Sequence, residues 1–480
     1  MRAKTPNCSP VRGVISVRVP FVDGMRAAAF ACVFGLSGAT TLVSGPLHAA
    51  EPTTIDQAIA IAVSTHPVVR GAEATRSAAV EDVADARADF LPSVDVSGES
   101  GWEYTDDPTT RARASAVSGA KDDGVNQWRN LGSVTVRQNL FNGFRTPNET
   151  EAARRRVSAA DHTVRDRKEA IALRCAEAYM DVVRSRTIVG LAERNVTAHV
   201  EVRDDVKLRL DAGNSDAADL NQAESRLALA RSRLTELRGA LRVAESDYFE
   251  AVGTMPDTLE MPARPVDALP ASVEEAVPTA LDNNPALLTA RSEADASQFD
   301  KRAARSPLMP TVDLEFRGTG GDNLGGVRGS DVNGQALVVL RYNLYRGGRD
   351  IARARRAVAL ESRALQRQAE LARLVEEQVR VDHADMMTAR DTVPLLRDRA
   401  AAAAQVVSAY RQQFELGRRS LLDVLDVENE LFQARISVVN AEIQHRIAEY
   451  RVLATMGTLI SAMGVETAMA PASGSEPLDG

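Results

Sequence analysis

Two carboxylates three residues apart, Asp423 and Asp426, stand in the stretch FELGRRSLLDVLDVENELFQ at residues 414–433. At the start of a helix, acids do one of two things. They cap the helix and answer its dipole, or, where copies of a chain share an axis, they ring a narrow entrance and attract cations. The surrounding residues suit a turn between helices. Gly417 is expected as a left-handed C′ residue ending the incoming helix. Ser420 caps the outgoing one, with Asp423 three residues on as an Asp-for-Glu capping box. Val424, Val427, Leu431 and Ala434 then form one apolar stripe.

No other residue pattern points to catalysis. There is no phosphate-binding Gly-rich loop with a following Lys, no HExxH and no GxSxG. His66, His162, His199, His383 and His445 are scattered along helical stretches and read as surface residues. Of three cysteines, Cys8 and Cys32 lie in the first fifty residues, and Cys175 sits among apolar positions. That excludes a disulfide or metal framework, and no cofactor is implied. A net charge of −8 and a pI near 5.5 argue against nucleic acid as a partner. The basic runs Arg154–Arg156 and Arg353–Arg356 read as solvated helix faces. Only 4% of residues are aromatic, while Ala, Arg, Leu, Glu and Val dominate, which suits long helices.

Residues 1–50 read as a signal peptide, with Met25 a possible true start. Arg26 precedes an apolar run from Ala27 to about Val43, and cleavage is expected near Ala49 or Ala50. The run before Cys32 is too short for a lipoprotein signal. After residue 50 no run approaches the roughly 18 apolar residues of a membrane helix.

The elements that carry the acidic turn are duplicated. Adding 218 maps Thr54 to Ser272, Pro67 to Pro285 and Pro92 to Pro310. Adding 204 maps Arg137 to Arg341, Gly143 to Gly347, Gly213 to Gly417, Asp219 to Asp423 and Gly253 to Gly457. The change of offset gives the first half a loop about 14 residues longer. The expected organisation is a first repeat over 51–254, a proline-rich linker over 255–271, a second repeat over 272–457 and a mobile tail over 458–480.

Each repeat opens with a capping-box signature, Thr54-x-x-Gln57 and Ser272-x-x-Glu275, and restarts at Pro67 or Pro285 as N1. Period-two alternation then predicts strands at 93–99 and 131–141, and at 311–317 and 335–345. Long helices follow. Ile351, Val358, Leu365, Ala372, Val379, Met386, Val393, Ala400, Val407 and Phe414 fall at sevens, and about 63 residues at 1.5 Å each give roughly 95 Å of helix. Gly190 and Pro394, at matching positions, mark a possible kink.

Strands of about ten residues with one apolar and one polar face suit an outer-membrane barrel. On this reading Asp95, Asp313, Arg137 and Arg341 face the lumen. Four strands cannot close, and an open edge cannot face lipid. Several copies must therefore share one barrel, eight-stranded for two and twelve-stranded for three. The fold class is an α+β membrane protein with internal duplication.

These halves, the strand ends NLFNGF and NLYRGG, and the tip GRRSLLDVLDVENELFQAR resemble the TolC family of outer-membrane channel proteins over about residues 52–457. The resemblance implies a homotrimer with a twelve-stranded barrel in outer-membrane lipid, continued by a periplasmic α-helical coiled-coil barrel. It also implies a periplasmic adaptor protein and an inner-membrane ABC transporter or proton-driven pump as partners. By resemblance, Asp423 and Asp426 ring the periplasmic entrance, and Asp219 pairs with Arg419 to hold it shut. The family's gate tyrosine falls at Phe414, which has no hydroxyl. Gly213, Gly417 and Ser420 belong to the tips that meet the adaptor. The expected function is a passive exit duct for type I protein secretion. Multidrug efflux is the alternative, and a trimeric coiled-coil surface scaffold the reading of another class.

Overall fold

The computed structural model describes residues 53–112, 124–213 and 216–465. The expected signal peptide, the tip of the longer inter-strand loop and the last residues of the expected tail lie outside them. The first repeat contains α1 (Ile55–Thr65), α2 (Pro67–Ala88), β1 (Ser93–Thr105), β2 (Val125–Phe141), α3 (Arg145–Asp211) and α4 (Ala217–Val252). The second contains α5 (Val273–Asn283), α6 (Pro285–Ala303), β3 (Thr311–Asp322), β4 (Ser330–Arg341), α7 (Arg349–Glu415) and α8 (Leu421–Thr455), followed by the short α9 (Leu459–Ala462).

The helix starts follow local chemistry. Thr54 and Gln57 form a full capping box on α1, and Pro67 and Pro285 occupy N1. The box expected at Ser272 is not formed. Ser272 makes no side-chain cap bond, and the Glu275 carboxylate instead accepts the Ala271 N–H at 3.0 Å. α3 and α7 are each 67 residues long, roughly 100 Å of helix, and run without a break through Gly190 and Pro394.

The four strands form one antiparallel sheet in the order β1-β2-β3-β4, so the β2–β3 pairing joins the two repeats. The strands exceed their expected length at the loop ends, reaching Thr105, Val125, Asp322 and Ser330. At the other end β4 stops at Arg341, short of the expected Tyr345. Arg341 pairs with Thr311, and Pro310 before it has no N–H with which to extend the ladder. A bulge between Asn139 and Phe141 in β2 sets Phe141 opposite Val312, on the apolar face.

The main core lies where α1, α3, α4, α5, α7 and α8 meet, around Ile59, Tyr179, Tyr248, Tyr450 and Leu453. The linker is fastened to it. Tyr179 Oη donates to the carbonyl of Glu260 at 2.8 Å, and the buried Glu449 carboxylate takes Arg264. The expected mobile tail is corrected at its start: α9 is ordered, Leu459 and Ile460 are buried, and Glu169 accepts the Ile460 N–H at 3.4 Å. Gly457 makes this turn at φ +72°, where an added Cβ would sit 2.7 Å from the Asn283 carbonyl oxygen. Two of the histidines read as surface residues are also buried. His66 caps α2 through Nδ1, and His199 is a buried residue of α3.

Candidate functional site

Each repeat ends its long helix in a glycine tip. Gly213 has φ +76° and Gly417 φ +69°, with open space around both, so the backbone conformation alone calls for glycine. Both returning helices begin with a side-chain cap, and that of α8 is a reciprocal box. Asp216 accepts the Asp219 N–H at 2.9 Å at the start of α4. At the start of α8, Ser420 Oγ accepts the Asp423 N–H at 3.2 Å, and Asp423 accepts the Ser420 N–H at 3.3 Å and its hydroxyl at 2.8 Å. The expected capping box is present, and it commits one Asp423 oxygen.

Asp426 is not simply solvated: it takes Arg226 of α4 at 2.9 Å and so ties the two hairpins together. Arg419 folds back on its own hairpin. Its guanidinium lies 4.2 Å from the Tyr410 ring centroid, Nε donates to Gln413 at 3.0 Å, and Nη1 lies 3.9 Å from Asp423. Within the protomer Arg419 thus lies against its own hairpin, beside Asp423. The reason is proximity: Arg419 is four residues before Asp423. Phe414 joins a small apolar cluster with Val206, Ala223, Leu421 and Leu425. In place of a hydroxyl contact it presents its ring to Arg209, 4.4 Å away, and its carbonyl accepts from Arg209 at 3.3 Å.

At the other end of the molecule, strand parity sorts the sheet. One face carries Val94, Val96, Val134, Val338 and Leu340, all bare. Trp102 and Trp128, at 6.0 Å between centroids, stand on the same face near the loop end. The opposite face is charged and cross-linked. Asp313, only 1% exposed, accepts from Arg137 at 2.7 Å, Arg341 at 2.6 Å and Asn139 at 2.8 Å. Glu315 accepts from Arg341 at 2.8 Å. Asp95 shares this face on the edge strand and makes no ion pair among the described residues.

The structure thus brings Asp313, Arg137 and Arg341 together and leaves Asp95 apart. Sequence reasoning missed Glu315, which period-two parity reaches, and Arg129, which pairs with Glu99 at 2.7 Å beyond the start of the expected strand. Arg209 and Arg226 carry no comparable signal, because their partners lie some 200 residues away.

Among the described residues no helix is long and apolar enough to cross a membrane. A sheet with a bare apolar face, an ion-paired charged face and open edges, carried on two long helical hairpins, defines an outer-membrane channel subunit. The chain belongs to the outer membrane efflux protein family, whose model matches residues 58–254 and 276–458. It is 27% identical to the outer membrane efflux protein BepC of Brucella suis biovar 1 (strain 1330), over 92% of this chain and 95% of that one. It is 24% identical to the proteases secretion protein PrtF of Dickeya chrysanthemi, over 90% and 92%. The outer-membrane channel OprN matches with a TM-score of 0.71 at 20% identity, over 84% of this chain and 90% of that one. The protein is accordingly a TolC-family outer-membrane efflux channel and not an enzyme, with its long helices on the periplasmic side.

Proposed function

We propose that three copies close into a twelve-stranded barrel and act as the passive exit duct of a tripartite export system, with polypeptide as cargo. The observation that carries the duct is the sheet itself. Its open β1 and β4 edges cannot stay unpaired in lipid, and its charged face suits a wet interior better than hydrocarbon. Asp95, Asp313, Arg137 and Arg341 then line the lumen. A periplasmic adaptor meets the tips around Gly213, Gly417 and Ser420, and an inner-membrane ABC transporter supplies the energy. Type I protein secretion is supported by the likeness to PrtF, a proteases secretion protein, over nearly both full lengths. Efflux through a proton-driven pump is the second reading, favoured by the likeness to BepC.

At the periplasmic entrance Asp423 and Asp426 form acidic rings, with Arg419, Asp219 and Phe414 around them. Planar-bilayer conductance of the purified protein tests the duct: a protein that yields no pore even after the tips are loosened is not a channel. Asp423→Ala with Asp426→Ala should weaken block by polyvalent cations, and unchanged block would leave both residues as cap and bridge alone. Secretion of a protease substrate by cells carrying the chain with a matching transporter and adaptor, set against drug export with a proton-driven pump, decides the cargo.

A further inference from the structure

α2 and α7 leave the same end of the sheet beneath its two opposite edges. α2 ends at Ala88, just before edge strand β1, and α7 starts at Arg349, just after edge strand β4. Within the chain α2 packs on α3, and α7 packs on α5, α6 and α8. Both outer faces are charged, with opposite signs. On α7, Arg349, Arg353, Arg356 and Arg363 recur at spacings of four, three and seven, which puts them on one face. All four are exposed, and among the described residues none has an ion pair. On α2, Glu81, Asp82 and Asp85 are exposed on the side away from α3 and are equally without an ion pair among the described residues.

Burying the sheet edges as proposed above sets β4 of one copy against β1 of the next, and therefore α7 against the neighbour's α2. We infer that this junction is an electrostatic seam between copies of the chain, in which Glu81, Asp82 and Asp85 of one protomer meet Arg349, Arg353 and Arg356 of another. The depths agree. Counted from the helix ends next to the sheet, Asp85 and Arg353 lie about 5 and 6 Å down, and Glu81 and Arg356 both about 10 Å. The small outward residues Ala74 and Ala78 of α2 and Ala352 and Ala359 of α7 let the two helices approach closely enough for the charges to pair. Opposite charges at this single place fix which edge meets which, and like-charge contact disfavours other pairings.

The inference rests on the ring reading, and the test separates the two. The oligomeric mass of the wild-type protein is measured first in mild detergent; a protein that is not trimeric overturns the ring. Given a trimer, the variant with Asp85→Cys and Arg353→Cys, its Cys8 and Cys32 replaced by Ser, should form a disulfide between protomers under mild oxidation. The remaining thiol, Cys175, is buried and does not compete. Reversing one side, either Glu81, Asp82 and Asp85 to Arg or Arg349, Arg353 and Arg356 to Glu, should lower the trimer fraction at fixed concentration at least about tenfold with helix content unchanged. Combining the two sets should restore it. A wild-type trimer with no cross-link, whose single-sided reversals leave the trimer fraction unchanged or whose combined variant fails to recover, overturns the seam while leaving the ring intact.

Discussion

α3 and α7 are the same element twice: 67 residues each, entered from a strand, ended by a glycine tip and returned by a shorter helix. Yet 24 residues of α3 are buried and only 7 of α7. α3 lies inside the protomer, covered by α2, α4, α6 and α8, while α7 lies at its border. The border helix nevertheless keeps the stricter heptad, with Ile351, Val358 and Leu365 about half exposed and Val379, Met386 and Val393 buried. These bare apolar residues lie on the face of α7 opposite Arg353 and Arg356, so they call for a contact separate from the charged seam. Duplication thus supplied two equal helices, and the fold buried one and left much of the other bare.

The largest effect should come from the interior helix. Tyr179→Ala removes a ring that is 1% exposed together with its bonds to the linker and to Thr53. It should cost about 3–5 kcal/mol, read as a large fall in thermal midpoint. A drop no larger than that of a surface substitution would mean that α3 is not the protomer's core.

Glu169, also on α3, gives a pH dependence. Burial is the main cause that pushes its carboxyl from 4.5 to about 7, only partly offset by the backbone N–H groups of Ile460 and Leu459. The folded state therefore holds the proton more tightly than the unfolded one. Stability is fullest below about 4.5 and falls as pH rises to about 7, by up to about 3 kcal/mol. Glu169→Gln should flatten that slope in denaturant titrations at several pH values. An unchanged slope would assign it to other groups.

The border helix should behave oppositely. Ile351→Ser, Val358→Ser and Leu365→Ser together should shift protomer stability by less than about 1 kcal/mol while depleting the trimer in light scattering. Unfolding of the protomer instead would erase the contrast between the two helices. Smallest of all, Arg226→Ala should cost only about 0–1 kcal/mol, because the Arg226–Asp426 pair is exposed, yet it should raise single-channel conductance by freeing the tips from each other. Conductance equal to wild type would leave Arg226 without a role in closing the entrance.

Much of this architecture was legible beforehand for a physical reason. Period two and period seven are local properties, so strands and long helices showed in residues such as Val94 and Val96 or Ile351 and Val358. Capping is nearly as local: the boxes at Thr54/Gln57 and Ser420/Asp423 formed as read, while Glu275 turned to the Ala271 N–H instead of Ser272. Contacts between distant segments were not legible. Arg209 reaches Phe414 and Arg226 reaches Asp426 only after two hairpins have been laid side by side, and no spacing within either hairpin encodes it. The tail shows the same limit. Its small residues read as mobile, but Leu459 is buried only once α3 and α8 have met.

The sequence by itself determined the duplication, the elements and which face of each is apolar, because those follow from residue type and period. The tertiary structure alone decided which of two equal helices is interior, which carboxylate is a cap and which a bridge, and where Arg419 turns. Such choices depend on distances between segments some two hundred residues apart, and only packing sets those distances.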